Sequence, residues 1–169
     1  METDSVKTNP RVGFARNTAR NLLKTINQNN PPILLNPCIK HLGKGYDLSV
    51  YAWNFGENID GIVQKNGEQI TIGYNELQHV HRQRFTVAHE IGHLLMGHIS
   101  NNADYNLESK HPKEIEANQF AAELLMPLAM LKNDVSNGLN DVKVFAKKYL
   151  VSEEAMWWRV LECQLLSQL

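Results

Sequence analysis

The run VAHEIGHLL near the middle of this 169-residue chain sets His89, Glu90 and His93 in the order HExxH. Four residues on an α-helix return a side chain to nearly the same face, so both imidazoles can reach one metal ion. Glu90 lies about 100° round the helix from His89, where it can face a water at the metal without binding the ion itself. The chemistry is metal-assisted hydrolysis, with two neutral imidazoles holding Zn²⁺ and Glu90 as general base. A motif this short also arises by chance on surface helices, so a third protein ligand at a workable spacing must be found.

A third histidine of the metzincin kind would fall at position 99, which is Ile99, leaving His98 out of register as a helix-end residue. The segment EIEANQFAAELLMP serves better. At helical spacing it aligns Glu114, Asn118, Ala121, Ala122 and Leu125 along one stripe. Glu114 can complete the ligand set, and the Asn118 carbonyl can accept the hydrogen bond that fixes a histidine's tautomer. Glu116 points about 200° away from Glu114, alongside Phe120 and Glu123, and reads as a solvated or ion-paired surface residue. Ala121 and Ala122 would allow the two helices to approach closely.

Helical spacing runs from Phe14 to Ile26 and is ended by NNPP; Asn36-Pro37 suggests an N-cap and first helical position. Three strand-like stretches follow, YDLSVYAWN, DGIVQKN and EQITIGY, the last two joined at Asn66-Gly67 as a type I′ hairpin would be. A small, mostly antiparallel sheet is expected. The metal helix should run from Arg82 to about Gly97, with Val87, Ala88, Ile91, Leu94 and Leu95 on its core side. Segment 98–112 leads to the second helix, either covering the cleft or simply connecting. Two tail helices are expected, about 141–149 and 152–166, the second capped by Ser152. The fold class is α+β.

Composition fits one compact domain: 43% hydrophobic and 21% charged residues. A net charge of −1, from 17 basic and 18 acidic residues, offers no general attraction to nucleic acid or anionic membranes. Cys38 and Cys163 stand alone in sequence, as free thiols of a cytoplasmic protein. No apolar run approaches the about 20 residues of a membrane span, and no signal peptide opens the chain.

RFTVAHEIGHLLMGH and EIEANQFAAELLMP together resemble the ImmA/IrrE metallopeptidases of mobile elements, phages and stress-response loci, with softer likeness along most of the chain. The resemblance implies a zincin-like metallopeptidase domain over 1–134 with the HExxH helix at its active site, and a helix-turn-helix-like pair over 135–169 packed on it. It also implies one Zn²⁺ per chain and a protein substrate such as an XRE-type transcriptional repressor or antitoxin. Many relatives carry their own N-terminal helix-turn-helix domain, for which this chain has no room.

In such a mechanism Glu90 takes a proton from water and returns it to the leaving amine, and a second electrophile steadies the oxyanion. His79, His81, Tyr105 and His111 are the candidates. EQITIGY could offer an edge to an extended substrate. The rival reading is a non-proteolytic, metal-stabilised interaction protein, a toxin or a repressor-binding or DNA-binding module using FAKKYLVSEEAMWWRV. Against direct DNA contact, Glu153 and Glu154 stand where phosphates would approach, while Trp157, Trp158, Leu161 and Leu165 look like packing surface.

Overall fold

A computed structural model describes residues 9–99, 110–165 and 167. Its elements are α1 (Val12–Thr25), α2 (Leu35–Leu42), β1 (Asp47–Trp53), β2 (Gly61–Asn66), β3 (Gln69–Asn75), α3 (Val80–Leu95), α4 (Pro112–Leu125), α5 (Leu128–Ser136), α6 (Val142–Tyr149) and α7 (Glu153–Glu162). The architecture is α+β. Helix α1 buries Ala15, Ala19, Leu22 and Leu23, the stripe its periodicity predicts. Helix α2 starts one residue before the expected Asn36 cap. The Gln28 amide instead takes both backbone groups of Leu34, at 2.7 Å each, and so fixes where α2 begins.

The three-stranded sheet has the order β1-β3-β2, with β1 parallel and β2 antiparallel to β3. The expected mostly antiparallel sheet is therefore mixed. Strand β1 ends beside Asn75, residues 54–60 carry the chain across the end of β3, and β2 runs back along the far side. Buried Asn75 secures this crossing: its Nδ2 donates to the carbonyls of Gly56 (2.6 Å) and Ile59 (2.8 Å), and its Oδ1 accepts from Leu77 N (3.1 Å). Because β3 is central, EQITIGY has no free edge for a substrate. The hairpin turn also sits one residue later than expected. Asn66 pairs with Gln69, leaving Gly67-Glu68 at the corner, and of these two only Gly67 has positive φ (62°), the type II′ pattern.

Helix α4 lies between α1 and α3, and α3 also packs on β2 and β3. The buried core face of α3 includes the expected Val87, Ala88, Ile91 and Leu94. A close approach of α3 to α4 is at Gly92. A Cβ on Gly92 would lie 3.2 Å from Ala117 Cα and 3.0 Å from Phe120 Cδ1. His93 is the next residue, so this crossing sets how deeply the ligand faces meet. Gly61 plays a similar part, because a Cβ there would collide with Thr86 Cγ2 and lie 3.4 Å from Glu90 Oε1.

Asp141 and Ser152 cap α6 and α7 through bonds to Lys143 N (2.7 Å) and Ala155 N (3.1 Å). The inward face of α7 is Met156, Arg159 and Val160. Trp157, Trp158 and Leu161 are exposed, contrary to the packing role expected for them, whereas Leu165 is buried. The reason is Arg159: its guanidinium pairs with buried Glu123, and that ion pair turns the tryptophans outward. Cys38 and Cys163 are free thiols. Among the described residues no helix is long and apolar enough to cross a membrane.

Candidate metal centre

Helix α3 places His89 and His93 one turn apart, and α4 brings Glu114 to them from its first turn. His89 Nε2 lies 3.1 Å from Glu114 Oε2, His93 Nε2 lies 3.1 Å from Glu114 Oε1, and the two Nε2 atoms are 3.0 Å apart. Zinc bonds of 2.0–2.1 Å at tetrahedral angles separate neighbouring ligand atoms by about 3.3 Å, so these atoms are spaced like three corners of a zinc tetrahedron. Among the described residues they form a cluster whose ligand atoms all lie within 4.8 Å of one another. All three side chains keep some exposure, which leaves the fourth corner reachable from solvent.

The outer ring nitrogens establish what this cluster needs. His89 Nδ1 is 2.9 Å from Asn118 Oδ1, which can only accept, so the ring hydrogen sits on Nδ1 and Nε2 keeps its lone pair. Asn118 thus stands where the stripe predicts. His93 Nδ1 is 3.0 Å from His98 Nδ1, and His98 Nε2 is 3.0 Å from Glu116 Oε2. Two imidazole lone pairs and a carboxylate then converge on one point, an arrangement that repels itself unless a positive charge sits there. A proton or a metal cation supplies that charge, and the donor set suits Zn²⁺.

The titration behaviour agrees. Burial alone would raise the Glu114 carboxyl, but where protons supply that charge, hydrogen bonds at the His89 and His93 Nε2 atoms outweigh it and hold the group well below the usual carboxylate range. Burial would lower His89, yet Glu114 and Glu90 keep it above the ordinary imidazole value. Glu90 is buried on α3, and burial raises its carboxyl above the ordinary value, against the pull of His89 and His93. A carboxyl raised in this way takes up a proton more readily than an exposed one.

Several residues depart from their expected places. Glu116 is buried rather than on the surface. It accepts from Arg11 through the backbone N (2.8 Å), Nε (3.1 Å) and Nη2 (2.7 Å). Burial alone would raise its carboxyl; Arg11 and His98 instead bring it down to about 2. His98 is a partner of His93, not just a helix-end residue. The available signal was Gly97, whose φ of 71° closes α3 with bonds from Gly97 N to Leu94 O and from His98 N to His93 O. That is the Schellman pattern, which folds the residue after the glycine back over the one five positions earlier.

Neither His79 nor His81 can reach the reacting centre, because they lie at the opposite end of α3, about 12–15 Å of helical rise from His89. His79 caps α3 through His81 N, and His111 caps α4 through Lys113 N. Tyr105 and most of segment 98–112 lie outside the described residues.

Residues 48–160 match the model of the family Peptidase_M78, the IrrE N-terminal-like domain. That span is two-thirds of the chain and contains the whole candidate cluster. Among solved structures, the fold is similar to a Mycobacterium tuberculosis transcriptional regulator at a TM-score of 0.66 and 12% identity, over 88% of this chain and 46% of that one. The chain therefore spans about half the length of that protein, and the likeness is one of fold. No curated protein matches significantly.

Proposed function

Because the chain belongs to the ImmA/IrrE family of IrrE N-terminal-like peptidases, we propose that it is a zinc-dependent endopeptidase with His89, His93 and Glu114 as ligands and Glu90 as general base. The observation that carries the reading is the convergence of two imidazole lone pairs and one carboxylate beside a buried, proton-accepting Glu90. Bound Zn²⁺ would act as a Lewis acid, polarising the scissile carbonyl and making water more acidic. Glu90 accepts the proton of the attacking water and hands it to the departing amine. Asn118 keeps His89 in the tautomer that leaves Nε2 free. Gly61 of β2, an outer strand in the order β1-β3-β2, closes on Thr86 and Glu90.

The substrate class we propose is a cytoplasmic partner protein, an XRE-type transcriptional repressor or antitoxin, and it rests on the family likeness alone. The test is co-expression with the repressor encoded beside the gene, comparing wild type with Glu90→Gln. Wild type should yield a repressor fragment and about one zinc per chain, whereas Glu90→Gln should keep the zinc and yield no fragment. Absence of zinc uptake by wild type overturns the site. Zinc uptake without a fragment overturns the repressor substrate. A cellular phenotype that survives Glu90→Gln but disappears with His89→Ala would make metal-supported binding the function.

A further inference from the structure

The two histidine ligands are supported unequally. His89 leans on a single neutral amide, Asn118. His93 leans on a chain of three groups running to the start of α1: His98, Glu116 and Arg11. We propose that His98 and Glu116, with Arg11 clamping the carboxylate, are positioning residues that fix the tautomer and ring orientation of His93 and strengthen it as a metal ligand. The inference rests on the metal-centre reading given above.

Hydrogen placement runs in one direction. With His93 Nε2 facing the cluster, its hydrogen sits on Nδ1 and donates to His98 Nδ1. The remaining ring hydrogen of His98 is then on Nε2 and donates to Glu116 Oε2. Glu116 is a pure acceptor, filled from the other side by three Arg11 donors. No other arrangement of single ring hydrogens satisfies both 3.0 Å contacts while leaving His93 Nε2 free. The chain ends on the Glu116 carboxylate, held ionised by Arg11, so it draws the His93 hydrogen outward and raises electron density at Nε2, as a carboxylate does when it backs a metal-bound histidine. Backbone geometry supplies the link: the glycine turn at Gly97 sets His98 over His93, where this motif ordinarily makes an apolar contact.

The same face of α4 provides an internal control, because Glu123 is as buried as Glu116 and pairs with Arg20 and Arg159 but does not touch a ligand. Zn²⁺ dissociation constants would be measured by chelator competition on folded protein, with the thermal midpoint of the metal-free form recorded alongside and the visible spectrum of the Co²⁺-loaded form. Glu116→Gln and His98→Ala should weaken Zn²⁺ binding by about 10–100-fold and shift the Co²⁺ bands. His98→Gln, which offers an acceptor and a donor on one amide, should recover part of the loss. Glu123→Gln should lower the thermal midpoint and leave affinity and spectrum unchanged.

Should His98→Ala not fold, the nearly isosteric Glu116→Gln carries the test. If Glu116→Gln instead behaves like Glu123→Gln, with altered stability and wild-type affinity and spectrum, the positioning role is overturned while the metal centre stands. If wild type itself binds no Zn²⁺, both are overturned.

Discussion

Helix α4 carries carboxylates on two faces, and the two faces solve opposite electrostatic problems. Toward α1 and α7, Glu116 and Glu123 meet cations of the chain itself: Arg11 for the first, Arg20 and Arg159 for the second. Charge there is complete. Toward α3, Glu114 meets two imidazoles whose free lone pairs point at the same place as its oxygens. Charge there is incomplete. Glu114 and Glu116 are two residues apart, so identity and burial alone do not separate a ligand from a structural anion; the sign of what each faces does. A buried carboxylate already matched to an arginine has no need of a metal, whereas one facing only lone pairs has.

The contrast breaks most visibly in catalysis. Glu90→Gln should cost on the order of 10²–10⁴ in rate, because the amide is nearly isosteric yet cannot accept a proton, while zinc content and thermal stability stay near wild type. Single-turnover cleavage of the proposed partner protein measures the rate, and elemental analysis measures the metal. Glu114→Ala should lose both activity and zinc. Retention of zinc by Glu114→Ala would move the incomplete charge elsewhere and undo the contrast.

On the matched face the effect should appear in stability. Glu123→Ala leaves the buried Arg159 guanidinium with only the half-exposed Glu162 carboxylate at 3.3 Å, which should cost up to about 3–5 kcal/mol. Urea unfolding of the metal-free protein checks this, and the remaining folded fraction should bind zinc as wild type does. A cost below about 1 kcal/mol, the level of an exposed pair, would show that Glu162 or water takes over the charge of Arg159.

Glu116 supplies a pH signature. Its folded-state carboxyl is depressed to about 2 by Arg11 and His98, against the effect of burial. A depressed carboxyl stabilises the fold at pH above its ordinary value near 4.5 and loses that contribution as pH falls toward 2. Metal-free wild type should therefore lose stability across that window more steeply than Glu116→Gln. Parallel stability curves for the two proteins would contradict the pairing.

What could be read from the sequence was what one helix decides by itself. The 3.6-residue period relates His89 to His93 and Glu114 to Asn118 without any knowledge of the rest of the chain. Contacts between elements were hidden. Arg11 reaches Glu116 across 105 positions, and Asn75 holds a crossover that sets strand order, so neither role shows in a local pattern. The tail misled because hydrophobicity stood in for burial. Trp157 and Trp158 face outward since the inward side of α7 belongs to Arg159, whose place depends on Glu123 from another helix. His98 is the intermediate case, since Gly97 signalled the turn but not that a histidine would use it for a polar contact.

The smallest effects belong to the two thiols, which test whether the contrast between the faces of α4 is confined to charged groups. Cys38 is fully buried, and burial pushes its thiol up to about 11. At pH 7 that leaves about one molecule in 10⁴ as thiolate, so native protein should react with a thiol reagent far more slowly than an exposed cysteine does. Cys163 follows α7 beside the matched face. Burial raises it too, with Glu162 and Glu123 adding to the rise and Arg159 opposing it. Cys38→Ser and Cys163→Ser should each keep wild-type zinc content and cleavage rate, because neither residue is within the ligand cluster. Denatured, non-reduced protein should titrate two thiols, the count of free cysteines. Cys163 is half-buried against the apolar core beside that ion pair, so any loss of stability in Cys163→Ser should shrink in a Glu123→Ala background to the extent that the thiol acts through the pair. A loss that persists unchanged in the double variant would place Cys163 in ordinary apolar packing and detach it from the charged face.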